Sequence, residues 1–452
     1  MQTKSTLSRR PIKPERILAL GFLAAIFIGG LLLSLPLCAA GGRSIGLRSS
    51  FFTATSAVCV TGLTLIDAGT QLSLWGQIVL LLLIQLGGLG FMSFATVIMV
   101  ALGRRVSLRG RMLLRDSMNQ TDLRGMVRLC LNFFVIAMVI ESVGALLLMI
   151  RLIPLYGIPK GIWYSFFTSI SAFCNAGFDL FGHFQSLTHL QQEPVVLLTL
   201  SGLILLGGLG FSVILECLHH RFGFRTLSLH AKLVLVLTAV LIGLGMLLTL
   251  AIEYSNTLST LPFGSKLVNA LFQSVTLRTA GFDSLNQAQL TDTSKLLGCV
   301  WMFIGASSAS TGGGIKTTTA FMMLMLVWSV IRGRERINVF GREIPQDTAR
   351  RSMAIAFIGL VFVLVSSCVI SLIESQSGHA MIDILYETVS AFSTTGLSSL
   401  GTPALSAASQ WLLMPLMYLG RVGPLTLAFA LASRSESSAA RVRYPEEKIM
   451  IG

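Results

Sequence analysis

Charge is scarce in this chain. Of 452 residues, 12% are Asp, Glu, Lys or Arg, while 53% are hydrophobic. Soluble globular domains carry about twice that share of charge, so a soluble fold is excluded. Cysteine is also sparse. The seven (38, 59, 130, 174, 217, 299 and 368) lie in or beside apolar segments, and none forms a Cys-x-x-Cys pair. That argues against a disulfide framework or a cysteine metal site and leaves small packing residues. The six histidines fall in loops or at the ends of apolar runs and read as solvated surface. There is no Ser/His/Asp set, no paired carboxylates and no metal-ligand spacing. The chain therefore reads as neither an enzyme nor the holder of a cofactor.

What it does have is apolar length. Runs over 17–37, 129–150, 233–252, 354–373 and 411–430 can each cross a bilayer, which takes ~20 helical residues. The first run is full length and lacks a cleavage site, so it reads as a span and not a removed signal. Net charge is +14, which would suit nucleic acid if it were spread over one face. Instead, 25 of the 34 Lys and Arg fall in five segments: 1–16, 103–128, 218–232, 332–351 and 434–452. By the positive-inside rule these segments are cytoplasmic. Five others (Arg43, Arg48, Lys160, Lys266 and Lys295) are assigned to exposed outer loops. No nucleic-acid partner is expected, and membrane lipid is.

A motif then recurs four times. A run of small and hydroxyl residues ends at Val60-Thr61-Gly62-Leu63, at Asn175-Ala176-Gly177-Phe178, at Thr279-Ala280-Gly281-Phe282 and at Thr394-Thr395-Gly396-Leu397. The glycines are 115, 104 and 115 residues apart. The runs before them are too short and too rich in Ser and Thr to span. A short helix that dips in and returns leaves carbonyls unpaired at depth, which is tolerated only where protein buries them or they face an ion or water. Glycine lets such a turn approach an axis closely. The fold class expected is an all-α integral membrane protein, with four helix–pore-loop–helix repeats around a pseudo-fourfold pore. Four glycine turns can then make a carbonyl-lined cation filter.

The units are placed at 17–101, 129–217, 231–331 and 352–433. Between and beyond them lie cytoplasmic segments at 1–16, 102–128, 218–230, 332–351 and 434–452. Leu86-Gly87-Gly88-Leu89-Gly90-Phe91 in unit one recurs as Leu206-Gly207-Gly208-Leu209-Gly210-Phe211 in unit two, and unit four has Leu419-Gly420-Arg421-Val422-Gly423-Pro424. Small residues at this spacing permit close helix packing. Unit three departs, with a stretch of small and polar residues over 305–319 that contains Gly305, Thr311, Gly312, Gly313, Gly314 and Lys316. It should unwind in mid-membrane and act as a gate. Its Gly-x-Lys-Thr ending lacks the spacing and preceding strand of a phosphate loop. Arg421 sits between apolar runs, where a cavity or carboxylate partner is expected, and it is placed with the gate as either a structural anchor or a charge at the ion path. Arg278 and Glu387 lie inside the third and fourth short helices and suit a structural ion pair near the filter.

Taken in order, these motifs resemble the Trk/Ktr/HKT superfamily of potassium transporters over roughly 17–433. The early first unit and the tail Pro445-Glu446-Glu447-Lys448-Ile449-Met450-Ile451-Gly452 make the chain most similar to Ktr-type membrane subunits. The resemblance implies potassium uptake at the plasma membrane, or the inner membrane of a diderm bacterium. It implies a homodimer, and a cytoplasmic ring of nucleotide-binding, RCK-type regulatory subunits. In that family a serine at the first filter position goes with sodium preference, so Gly62 implies potassium. Sodium dependence, as in symport, is left open. The alternatives are a non-conducting membrane scaffold, or a solute transporter of related repeat architecture.

Overall fold

A computed structural model describes residues 14–102, 110, 112, 125–219, 223–333 and 336–423. The expectations for the extreme N-terminus, most of the 103–124 segment and the tail from 424 lie outside the described residues. Each unit opens with one long apolar helix: α1 (Pro14–Leu33), α5 (Met126–Tyr156), α9 (Leu229–Glu253) and α13 (Gln346–Ile373). These are the four helices long and apolar enough to cross a membrane unbroken among the described residues. Leu20, Phe27, Leu146, Leu247 and Phe357 on them are exposed. In water such faces would be an aggregation hazard, but in a bilayer they meet lipid.

A short helix follows in each unit: α2 (Leu47–Cys59), α6 (Ile158–Phe173), α10 (Phe263–Thr276) and α14 (Met381–Ser393). At 13 to 16 residues none can span. The second spanning element is broken in units one to three, and in unit four its helix ends at the last described residues. Unit one has α3 (Leu74–Leu89) and α4 (Phe91–Ala101), separated at Gly90 with φ 85°. Unit two has α7 (Pro194–Leu209) and α8 (Phe211–His219), bent by 98° at Gly210. Unit three has α11 (Asp292–Ile304), then an irregular loop, then α12 (Thr317–Ile331). In unit four α15 (Ala407–Val422) stops at Gly423, with φ 90°. The Leu-Gly-Gly-Leu-Gly motif therefore ends helices as well as packing them. The positive φ at its last glycine, paired with an extended ψ of 133–140°, is a conformation open chiefly to a residue without Cβ.

Other expectations also shift. The basic 332–351 segment holds a two-stranded ribbon, β1 (Ile337–Val339) with β2 (Arg342–Ile344), and α13 begins within it at Gln346. The loop of unit three spans 305–316, because Thr317 to Thr319 start α12. Lys266 and Lys295 are not in exposed loops. Lys266 is buried against the Tyr254 ring, and Lys295 is buried on α11, 2.8 Å from Asp383 on α14.

The units close into a ring. Each short helix packs on its own first helix and on the second helix of the preceding unit, in the sequence α3 on α6, α7 on α10, α11 on α14 and α15 on α2. Recurrent polar ties hold the far ends of units two, three and four. Glu253 ends α9 and accepts from the Thr291 N–H and from the Thr291 and Ser294 hydroxyls at the start of α11. Glu374 ends α13 and accepts from the Ser406 N–H at 2.8 Å, Ser409 Oγ at 2.6 Å and Ser377 Oγ at 2.7 Å. In unit two Arg151 forks onto Glu193. Burial alone would raise the Glu374 pKa, but these donors outweigh it and hold the carboxyl at about 2. A depressed carboxyl stabilises the fold above its unfolded value, and that contribution is lost as pH falls toward 2. Glu374→Ala should cost about 2–3 kcal/mol, the usual range for hydrogen bonds to a charged group. It should lower the melting temperature in detergent at pH 7 and leave a shallower loss of stability on acidification.

Candidate ion path and its glycine ring

The four short helices end at one point. Within three residues of each helix end, a non-glycine residue adopts left-handed backbone: Val60 (φ 57°), Asn175 (58°), Thr279 (69°) and Thr394 (54°). Two residues later comes a glycine with positive φ: Gly62 (97°), Gly177 (70°), Gly281 (82°) and Gly396 (94°). Left-handed angles on Val and Thr are costly and persist only where surroundings fix them. Here a cap fixes them. Thr61, Ala176 and Thr395 donate their N–H groups to the carbonyls of Ser56, Ser171 and Ser390, at 2.7–2.8 Å, a six-to-one closure of a helix end.

Hydroxyls on the short helices complete the cap. Ser56 Oγ accepts from the Gly62 N–H, Ser171 Oγ from the Phe178 N–H and Ser390 Oγ from the Gly396 N–H, each at 3.0 Å. In unit three Thr276 Oγ1 instead donates to the Phe282 carbonyl at 2.8 Å. Sequence reading treated these hydroxyls as composition. A Ser six residues before the glycine, in three of the four runs, was the available signal. With three N–H groups drawn outward, the carbonyls of those turns are free to face inward.

The turns touch in cyclic order. A Cβ added at Gly62 would lie 2.8 Å from the Ala176 carbonyl, and one at Gly177 would lie 2.9 Å from the Ala280 carbonyl. One at Gly281 would collide with the Thr395 carbonyl, and one at Gly396 with that of Thr61. The four glycines and the residues before them, Thr61, Ala176, Ala280 and Thr395, thus meet in one closed ring. The Thr61, Thr279, Thr394 and Thr395 hydroxyls there are buried without a partner among the described residues. Buried polar groups normally find one.

One face of the ring opens into a vestibule of about 400 Å³, lined by the four glycines with Asp179 and Asp283. Burial raises the Asp179 carboxyl to about 6, against the lowering effect of the Phe181 N–H. Asp283 is raised by burial and by its neighbours Asp179 and Glu387. Neither aspartate was singled out from sequence.

The unit-three loop lies against the opposite face. A Cβ at Gly313 would collide with Thr394 Oγ1 and lie 2.9 Å from the Ser393 carbonyl, and one at Gly312 would collide with Thr279 Oγ1. Gly305 and Gly314 hold the loop's base, with Cα of Gly314 3.0 Å from a Cβ placed at Gly305. Lys316 Nζ bonds back to the Gly312 carbonyl at 2.5 Å, so it braces the loop instead of reaching out. Arg421 finds no cavity or carboxylate. Its guanidinium donates to the Thr311 carbonyl of the loop and to the Gly87 and Gly88 carbonyls at the end of α3. The pairing foreseen between Arg278 and Glu387 does not form. Glu387 accepts from Ser398 and Thr402, each at 2.6 Å, while Arg278 Nε and Nη2 are buried without a described partner.

The TrkH family model, a cation transport protein, matches residues 25–441. The chain belongs to that family. It is 38% identical to the Ktr system potassium uptake protein B of Bacillus subtilis, over 97% of each chain. It is 37% identical to the potassium/sodium uptake protein NtpJ of Enterococcus hirae, over 98% of each. Among solved structures, the potassium transporter TrkH of Vibrio parahaemolyticus superposes with a TM-score of 0.69 at 19% identity, covering 96% of this chain and 87% of that one, which supports the fold. The chain is an all-α, multi-pass protein of the plasma membrane, and its relatives are transporters and not enzymes.

Two outcomes follow from the ring. Gly62→Ser places a side chain against the Ala176 carbonyl on strained backbone and should lower selectivity for large over small alkali cations, read as competition of sodium with rubidium flux. Asp179 is ionised above about pH 6 and neutral below it. Flux at low cation concentration should therefore fall as the vestibule-side bath is acidified through pH 6. The drop should be severalfold, because a neutral carboxyl no longer raises the local cation concentration at the vestibule. Asp179→Asn should show the low flux at every pH.

Proposed function

We propose that this chain carries potassium into the cell through the glycine ring, with the 305–316 loop as its gate. The closed cyclic contact of the four glycine turns carries the reading. Each short helix also directs its C-terminal end, the negative end of the helix dipole, toward the ring, which favours a cation there. Carbonyl oxygens replace the hydration shell of a large, weakly hydrated cation at little cost. Glycine at all four positions and the potassium named in both curated relatives favour potassium, while the sodium in one of those names keeps coupling a question for experiment.

In this reading Thr311, Lys316 and Arg421 hold the loop across the path. The chain acts as a homodimer, and a cytoplasmic nucleotide-binding ring of the RCK type docks on its basic face and moves the loop. The ligand of that ring shifts opening only by its differential affinity for two states. Rubidium flux into liposomes holding the purified protein is the primary test. A protein that folds but carries no cation would be a scaffold, and the proposal would be lost.

The gate is tested separately. Removing Gly312 to Gly314 should raise basal flux and weaken dependence on the regulatory partner; parental flux from a folded deletion variant would assign the loop to packing. Charge reversal at Arg332 and Arg336 should weaken ring binding and nucleotide response while leaving ion selectivity unchanged.

A further inference from the structure

A carboxylic acid lies deep in the bundle that neither the ring nor the loop uses. Glu141 sits midway along α5 and is 2% exposed. Its Oε2 accepts from Gln85 Nε2 on α3 at 2.8 Å. Gln85 Oε1 in turn accepts from Cys174 Sγ at 3.0 Å. Cys174 caps α6 and is fully buried, one residue before the left-handed Asn175 of the second turn. The main chain of Glu141 is tied to the same helix, because Ser169 Oγ donates to its carbonyl at 2.6 Å.

A polar side chain this deep in a membrane is costly unless its partners are fixed, so the acceptor that Glu141 offers to Gln85 is a specific contact and not incidental polarity. The trio is also confined. A Cβ at Gly88 would lie 2.6 Å from Cys174 Sγ, so α3 presses on the cysteine from one side while Gln85 holds its thiol. Gly88 also offers its carbonyl to Arg421. The chain Glu141–Gln85–Cys174 thus runs from a first spanning helix, across the preceding unit, to the residue that launches the second turn. A hydrogen-bonded relay fixes both the position and the rotation of the group at its end, which apolar packing does less sharply.

We propose that Glu141 is a positioning residue for the second glycine turn, acting through Gln85 and Cys174 to set where the Asn175–Gly177 backbone stands in the ring. This deepens the reading of the ring as a cation filter and rests on it.

The test uses full-length protein in liposomes and reads rubidium flux with and without competing sodium, beside the melting temperature in detergent. Glu141→Leu should reduce rubidium preference over sodium by about fivefold, the factor that corresponds to one lost hydrogen bond of ~1 kcal/mol. Glu141→Gln retains an acceptor for Gln85 and should stay near the parent. Cys174→Ala breaks the last link without touching α5, and it should match the selectivity loss even if the leucine variant fails to fold. The double variant Glu141→Leu/Cys174→Ala should be no less selective than either single one, because both cut one relay. Parental selectivity in folded Glu141→Leu or Cys174→Ala protein overturns the proposal, as does selectivity lost only in proportion to melting temperature. If the parent itself shows no cation preference, the filter reading fails instead, and the two failures are told apart by the parent alone.

Discussion

The structure depends on how four short helices end. An ordinary helix end leaves several carbonyls unpaired, and in a bilayer each is costly unless something meets it. Here the cap takes care of the N–H side. Backbone N–H groups fold back onto the helix, and Ser56, Ser171 and Ser390 accept one more. With those donors drawn outward, the carbonyls of the turns are left to face the axis. A ring of carbonyls with four helix C-termini behind it is a place of negative potential that only a cation relieves. In the proposed filter, tight capping and cation affinity are therefore one feature. Loss of a cap hydroxyl would turn an N–H inward and weaken both.

The same logic works one layer away. α3 and α7 stop at Gly90 and Gly210, so their last carbonyls are free inside the bundle. The Gly207 and Gly208 carbonyls accept from the Thr311 and Ser307 N–H groups of the unit-three loop. The Gly87 and Gly88 carbonyls accept from Arg421, which also holds the Thr311 carbonyl. Units one, two and four thus converge on the irregular segment of unit three. All these bonds are between neutral backbone groups or from one cation to carbonyls. Such contacts can be exchanged for water without stranding a charge, which suits the gate proposed for this segment. A carboxylate clamp on Arg421 would be harder to open.

Repetition made most of this legible in sequence. The fourfold spacing of Gly62, Gly177, Gly281 and Gly396 located the ring, and the run from Gly305 to Lys316 announced a break in a helix. What could not be read was partnership. Arg278 and Glu387 looked like a pair because each was a lone charge in a short helix, yet Glu387 is satisfied by hydroxyls of its own unit. The pair that does join units three and four is Lys295 with Asp383, and Lys295 was assigned to a loop because it lies near the start of its helix. Glu141 passed unnoticed because a single acid in a long apolar run does not alter hydropathy. Its significance comes from Gln85, 56 residues away in sequence. Periodicity reports which face of an element is buried; it carries no information on which polar side chains meet across elements.

The ring is repetitive but not symmetric. The third turn lacks the bond from a turn N–H to a serine hydroxyl that the others make, and uses Thr276 to hold a carbonyl instead. It is also the turn whose unit carries the loop, and Gly312 packs directly on Thr279. A turn capped through its carbonyl has one fewer oxygen free to face the axis and one more donor. The cation coordination offered by unit three should therefore be weaker than that of units one, two and four. Thr276→Ser keeps the hydroxyl and should conduct like the parent. Thr276→Val removes it, frees the Phe282 carbonyl and should alter rubidium–sodium competition more than the melting temperature. Equal selectivity in the Val variant would mean that the third turn contributes no more than spacing to the ring.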